Sequence, residues 1–307
     1  MGAYIVRRIL VSIVTVFGVT VVVFLMLHLV PGDPVTVMLS EHETQADAAA
    51  LRHELGLDLP LPVQYARYLG RAVQGDLGRS FRLRRPVVEL MMARFPQTIK
   101  LAVMSLGLAA ILGTVFGILA AVFRETVIDY ATMAGALLGV SVPSFWLGLM
   151  LILLFCLQLK WFPVAGSREG IRSMILPAAT LATGSLAVVT RLTRSSMLEV
   201  LNSDYVRTAR AKGLSERTVM VRHALRSSII PVITVLGLQF GFMLSGAIIV
   251  EAVFVWPGVG RLAIDAIIAR DFPVVQGISL FVAVGFVMIN LLVDILYTYV
   301  DPRISYD

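Results

Sequence analysis

Residues 9–30 read ILVSIVTVFGVTVVVFLMLHLV, a run that no Asp, Glu, Lys or Arg interrupts. As a helix at 1.5 Å per residue it is about 33 Å long, enough to cross a hydrocarbon core of about 30 Å. Arg7 and Arg8 precede it, and Pro31, Gly32, Asp33 and Pro34 follow it abruptly. A signal-peptide core is shorter and ends at a small-residue cleavage site, which is missing here. The run is therefore expected to be an uncleaved transmembrane helix with its N-terminus inside.

The rest of the chain repeats that composition. Of 307 residues, 58% are hydrophobic and 15% charged, and the mean hydropathy is +0.86. A soluble domain carries about a quarter charged residues, so the whole chain reads as membrane protein. Further spans are expected at 101–123, 131–159, 176–190, 229–250 and 274–300. Pro143 should kink the third, and Pro177 and Gly184 should interrupt a shorter fourth. The expected fold class is an all-α membrane protein of about six transmembrane helices. Its expected parts are an N-terminal transmembrane helix at 1–30, an external loop subdomain at 31–97 and a transmembrane core at 98–307.

With the N-terminus inside, loops 31–97, 160–175 and 251–273 fall outside, while 124–130, 191–228 and the C-terminus fall inside. Eight basic residues between Arg191 and Arg226 give the inward bias that sets orientation. The first outer loop holds eight arginines, but eight acids balance them and its length exceeds the range in which loop charge decides orientation. A neutral mixed-charge stretch of that size reads as a small folded external subdomain. The net charge of +6 suits anionic lipid headgroups, and no nucleic-acid partner is expected.

Sites for chemistry are scarce. His28, His42, His53 and His223 form no ligand spacing, and Cys156 is single, so neither a metal site nor a disulfide is expected. No GxxxxGK[ST] loop is present for phosphate, and no nucleophile elbow. No catalytic residue is expected in this chain. Polar groups inside apolar runs are costly and mark candidate solute paths. Three qualify: Glu251 at the end of the fifth span, and Asn290 and Asp294 in the sixth. Glu251 is also read as an interfacial carboxylate at the outer mouth, and Asp294 as a carboxylate near the inner end, within reach of water or an arginine.

The most ordered non-membrane segment is 198–231, LEVLNSDYVRTARAKGLSERTVMVRHALRSSIIP. Asn202, Ser203 and Asp204 are N-cap residues, and Gly213 is a helix stop. They bracket a short helix from Asp204 to Lys212. Tyr205, Ala209 and Lys212 are expected along one side, with Arg207 and Arg210 displaced around it. Small Ala209 and Ala211 should leave the helix thin enough for a partner to approach its backbone. A second helix is expected from Ser215 to Ser228, and Pro231 should open the fifth span near its first turn. A loop that only meets lipid needs positive charge but not this order of cap, glycine, helix and proline.

RTARAKGL (207–214) followed by RHALRSSIIP (222–231) resembles the coupling segment of inner-membrane permeases of binding-protein-dependent ABC importers. Within that family it resembles the dipeptide, oligopeptide and nickel branch. The family pattern is EAA, three residues, then Gly; here Arg207, Thr208 and Ala209 fill the first three places and Gly213 the last. The usual glutamate is absent, so no salt link from that position is implied. LVPGDPV (29–35), GDLGRS (75–80), PQTIKLA (96–102), VPSFWLG (142–148), ILPAATLA (175–182), EAVFVWPGVGRL (251–262), RDFPVVQG (270–277) and DPR (301–303) continue the resemblance. The long loop after the first span resembles the first of the two permeases that such systems pair.

The resemblance implies a permease subunit of an ATP-driven importer, for di- or oligopeptides, in a bacterial or archaeal inner membrane. Its implied partners are a second homologous permease, two cytoplasmic ATPase subunits that bind ATP and Mg, and an external solute-binding protein. Asp204, Tyr205, Arg207, Thr208, Ala209, Arg210, Lys212 and Gly213 are then the expected ATPase-coupling residues. The loop at Gly75–Ser80 is expected to meet the binding protein or gate the outer mouth. The competing reading is a secondary transporter working alone on an ion gradient. Against it, the two halves show no matching pair of broken spans.

Overall fold

A computed structural model describes residues 2–29, 53 and 58–300. The PGDPV string after the first span, and the terminal DPR, lie outside the described residues, so the loop expected at 31–97 is seen chiefly from residue 58 onward. In chain order the helices are α1 (Gly2–Leu29), α2 (Leu61–Val73), α3 (Val87–Val122), α4 (Val127–Ser141), α5 (Ser144–Leu151), α6 (Ile171–Leu201), α7 (Asp204–Ala211), α8 (Glu216–Thr218), α9 (Leu225–Val253), α10 (Val259–Ile268) and α11 (Phe272–Val300). Two π-helical turns, Ile152–Gln158 and Val219–Ala224, follow α5 and α8. No strand forms among the described residues, as expected where lipid supplies no partner for an open sheet edge.

Five of these helices are long and apolar enough to span a bilayer: α1, α3, α6, α9 and α11. The third expected span is broken rather than kinked. Val142 is extended before Pro143, whose ring disfavours helical geometry at the preceding residue. The chain bends there by 105° between Val127–Ser141 and Ser144–Gln158. The fourth span is the reverse case. Pro177 and Gly184 do not interrupt it; α6 runs unbroken for 31 residues. Pro177, the seventh residue of this helix, forgoes one bond, to the Ser173 carbonyl, with less than two turns of helix before it to kink.

Two compact units emerge, Met1–Gln97 with Pro257–Met288, and Thr98–Trp256 with Ile289–Asp307. The first has a core of Val87, Met91, Val259, Leu262, Val274 and Ile278. Phe95 meets Phe281 edge to face at 5.0 Å. Gly277 lets α11 approach α3, because a Cβ there would lie 2.6 Å from Val87 Cγ1. Pro60 starts the amphipathic α2, its carbonyl accepting from Val63 and Gln64. Tyr65 fastens α2 to α1: its hydroxyl lies 2.8 Å from Thr20 Oγ1, and its ring packs edge to face on Phe24. Burial pushes the neighbouring Tyr68 hydroxyl up to about 12.

In the second unit the other helices pack around α6, whose apolar stretch is 56% buried against 33% or less in the other spans. Gly113 of α3 sits on Val189 and Gly117 on Thr193, so α3 and α6 run parallel. Gly139 of α4 sits on Thr183, and Asp129 pairs with Arg194, so α4 and α6 run antiparallel. Parallel neighbours require the chain to recross the bilayer between them. Only the bent pair 127–158 does so, which makes it one broken span and gives six spans among the described residues. Small residues at these contacts do what they do between membrane helices generally, letting backbones approach.

The closeness at Gly117 has a measurable consequence. An added Cβ would lie 2.5 Å from Thr193 Cβ and 2.7 Å from the Thr190 carbonyl oxygen. Gly117→Ala is expected to destabilise the detergent-solubilised protein by about 1–3 kcal/mol. At Gly107, on the same helix, a Cβ meets nothing within 4 Å. Gly107→Ala should therefore leave stability unchanged or raise it by up to about 1 kcal/mol, from helix propensity alone. Thermal unfolding midpoints of the two variants test the difference in sign.

Candidate functional site

The short helix α7 grows out of the end of α6. Ser203 leaves helical geometry (φ −76, ψ 153) and its carbonyl accepts the first α7 bonds, from Val206 and Arg207. Its hydroxyl does not cap α7; it donates backward to the Val200 carbonyl at 2.5 Å. Asp204 in the first turn suits the positive end of the helix dipole. The other end closes in a Schellman motif. Leu214 N–H donates to the Ala209 carbonyl and Gly213 N–H to the Arg210 carbonyl, with Gly213 left-handed at φ 79. Glycine is the residue that takes this conformation without strain.

Val206 and Ala209 are buried against Val219, with Val200 and Leu201 packed around them. This corrects the expectation for Ala209, which faces inward and offers no thin backbone to a partner. Burial of Val206 at the adjacent inward position decides the rotation of the helix. Tyr205, Thr208 and Lys212, at i, i+3 and i+7, form the exposed ridge, flanked by the exposed Asp204, Arg207, Arg210 and Gly213. Arg210 bridges to Glu216 with contacts of 2.8 and 3.3 Å, tying α7 to α8 across the glycine turn. The Arg207–Asp204 contact of 3.6 Å is almost fully solvated and adds little.

Beyond the turn, the expected helix 215–228 is not separate. Residues 216–253 are helical throughout, so Pro231 opens the apolar span, 231–253, as expected but lies inside α9 rather than at the helix's own first turn. The π-helical turn Val219–Ala224 puts Val219 and Ala224, five residues apart, both into the interior. A pattern read at 3.6 residues per turn does not anticipate this.

The three candidate path residues do not converge. Glu251 is completely buried and accepts from Thr98 Oγ1 at 2.6 Å. Asn290 and Asp294 are half-buried, one turn apart on α11. Gly237 packs on Val293, the neighbour of Asp294. Glu251 lies fourteen residues further along α9, about 21 Å away at 1.5 Å per residue. One mouth therefore does not hold all three.

Two acidic residues missed in the sequence organise the described loops and the helix ends. Asp271, buried in the first unit, accepts from the Ser80 hydroxyl and from Phe81 N–H at 3.0 Å. Ser80 Oγ in turn accepts from Leu83 N–H at 2.8 Å. The Ser80 side of the expected Gly75–Ser80 contact loop is thus sealed, and the exposed tip is Arg82–Pro86. An open cleft of about 360 Å³ beside it is lined by Arg82, Leu83, Arg94, Leu262 and Asp265. In the second unit Asp129, 2% exposed, receives Arg194 Nε at 2.6 Å and Nη2 at 2.7 Å. The sequence signals were faint: Asp271 follows Arg270 outside any span, and Asp129 and Arg194 lie 65 residues apart at the edges of apolar runs.

Known proteins agree with this architecture. Residues 113–306 match the family described as binding-protein-dependent transport system inner membrane component. Residues 1–102 match the N-terminal region described for such membrane components. The oligopeptide transport system permease protein AppB of Bacillus subtilis (strain 168) is 43% identical over 316 residues, covering all of both chains. The glutathione transport system permease protein GsiC of Escherichia coli (strain K12) is 45% identical over 303 residues, 99% of each. A putative peptide transport system permease protein of Brucella suis biovar 1 (strain 1330) is 44% identical over 314 residues, covering both chains fully. Among solved structures, an amino acid ABC transporter with histidines shares the fold at TM-score 0.55 and 18% identity, over 69% of this chain and 94% of that one. The MetNI methionine ABC transporter, in inward-facing conformations, does so at TM-score 0.54 and 16% identity, over 69% and 96%. With six spans, a short exposed helix between the fourth and fifth, and these matches along its whole length, the chain belongs to the family of binding-protein-dependent transport system inner membrane components, the membrane-spanning permease subunits of ABC importers.

Proposed function

We propose that this permease forms half of the translocation path of an ATP-driven importer of di- or oligopeptides. The substrate class is supported by the relatives, which are described as oligopeptide, glutathione and peptide permeases. Glutathione is itself a short peptide. The other half of the path is a second homologous permease. ATP and Mg are bound and ATP is hydrolysed by two cytoplasmic subunits, and an external solute-binding protein delivers the peptide. Both termini and α7 face the cytoplasm, where the positive bias of 191–228 belongs, and the tip Arg82–Pro86 faces the binding protein.

The observation that carries the coupling role is the construction of α7. One face is anchored by Val206 and Ala209, and the other presents Tyr205, Thr208 and Lys212 to solvent. The ridge lies in a groove of an ATPase subunit, and closure of two such subunits on ATP moves α7 and, through it, α6. Gly213 keeps the end of the ridge free of a side chain.

Reconstitution tests this reading against the ion-gradient alternative. In liposomes, a radiolabelled tripeptide should enter only when the chain is joined by its partner permease, the ATPase subunits, the binding protein and ATP. Gradient-driven entry through the purified chain alone would establish the secondary-transporter reading instead.

A further inference from the structure

Ten residues before α7, α6 is gripped from two sides. On one, Gly117 of α3 lies directly against Thr193. On the other, Asp129 of α4 holds the neighbouring Arg194 through both carboxylate oxygens. Asp129 also accepts from the Glu125 N–H at 3.1 Å, and Glu125 is left-handed at φ 60. The backbone turn that starts the broken span is thus folded around the same carboxylate. From Arg194 the packing continues without a gap toward α7. Met197 is fully buried with Ala121 and Ala224 and receives the Ser228 hydroxyl on its sulfur at 3.0 Å. Val200 and Leu201 then close over Val206 and Ala209 of α7 itself.

We infer that Asp129 and Arg194 are a positioning pair that locks the broken span 127–158 to α6, so that motion received at α7 carries both together. This rests on the proposal that α7 docks on an ATPase. Apolar contacts between α4 and α6 allow sliding, since their attraction has no fixed register. The two-point contact does not: a slip of one residue, about 1.5 Å along a helix, breaks both hydrogen bonds. Buried ion pairs are best attested as devices that fix register rather than as sources of stability. Packing contiguity alone does not show coupling, so the test must read motion.

Spin labels on Tyr130→Cys and Glu199→Cys, both exposed positions of α4 and α6, report the α4–α6 distance. The assembled transporter is measured without nucleotide and after trapping with ATP and vanadate. With the native pair, one narrow distance distribution is expected in both states. With Asp129→Asn and Arg194→Gln together, which leave no unpaired buried charge, the distribution should shift or broaden about twofold on trapping only. The single variant Asp129→Asn should show the same response, and the double variant decides if the single one does not assemble. An unchanged distribution in a double variant that keeps its ATPase subunits would overturn the inference alone. Failure of the native permease to retain ATPase subunits would overturn the docking proposal and this inference with it.

Discussion

Gly213→Trp is expected to abolish substrate-stimulated ATP hydrolysis by the assembled importer while the permease still inserts at normal levels. Two effects separate at this position. Gly213 is left-handed, so any side chain brings strain of about 1 kcal/mol. A Cβ built there meets nothing within 4 Å in this chain, so a side chain leaves the backbone into open space. Gly213→Ala, which adds strain but little bulk, should lower coupled hydrolysis by no more than about fivefold. Gly213→Trp should lower it by more than about a hundredfold, because its bulk falls on the surface proposed to meet the ATPase. Equal, small losses in both variants would mean that only the Schellman turn matters and nothing docks at the end of α7.

The second large effect concerns Asp271. Its carboxylate is buried and takes the Ser80 hydroxyl and the Phe81 N–H. Asp271→Ala leaves these two donors without their acceptor, at about 1–3 kcal/mol each, and also frees the Arg82 N–H, which lies 3.4 Å from the same carboxylate. The segment 79–86 should then open, and trypsin should cut after Arg82 or Arg84 about a hundredfold faster. Asp271→Asn keeps an oxygen to accept one bond and should fall between. On the proposed topology, cleavage occurs only with trypsin on the outer side of the membrane. Import should fall about tenfold without loss of ATPase subunits from the complex. A cleavage rate equal to that of the native protein would show that the clasp does not hold the loop.

Much of the fold was legible because the bilayer imposes it. Ile9–Val30 and the later apolar runs reveal all six spans by length and composition, the broken third among them, which requires no knowledge of neighbours. The errors came where neighbours decide. Pro143 breaks its span by 105°, while Pro177 is absorbed near the start of a long helix whose apolar stretch is the most buried of the spans. Proline removes the same N–H in both places, and the difference lies in position along the helix and in surrounding contacts. In α7, helical spacing put Tyr205, Ala209 and Lys212 on one side, of which Tyr205 and Lys212 are exposed, and the Gly213 stop was legible from residue type. The inward turn of Ala209 was not, because Val206 and Val219 meet only once the turn at 213–215 has folded. Asp129, Arg194, Ser80 and Asp271 were invisible for the same reason: each is defined by a partner 65 or more residues away.

The central claim, that α7 is where ATP-driven motion enters the permease, is tested most directly by contact. A photo-crosslinking side chain placed at Thr208, the exposed middle of the ridge, should capture an ATPase subunit in the intact complex. The same group at Val73, 80% exposed on α2, should capture none. Capture of lipid alone from Thr208, in a complex that still imports peptide, would contradict the account.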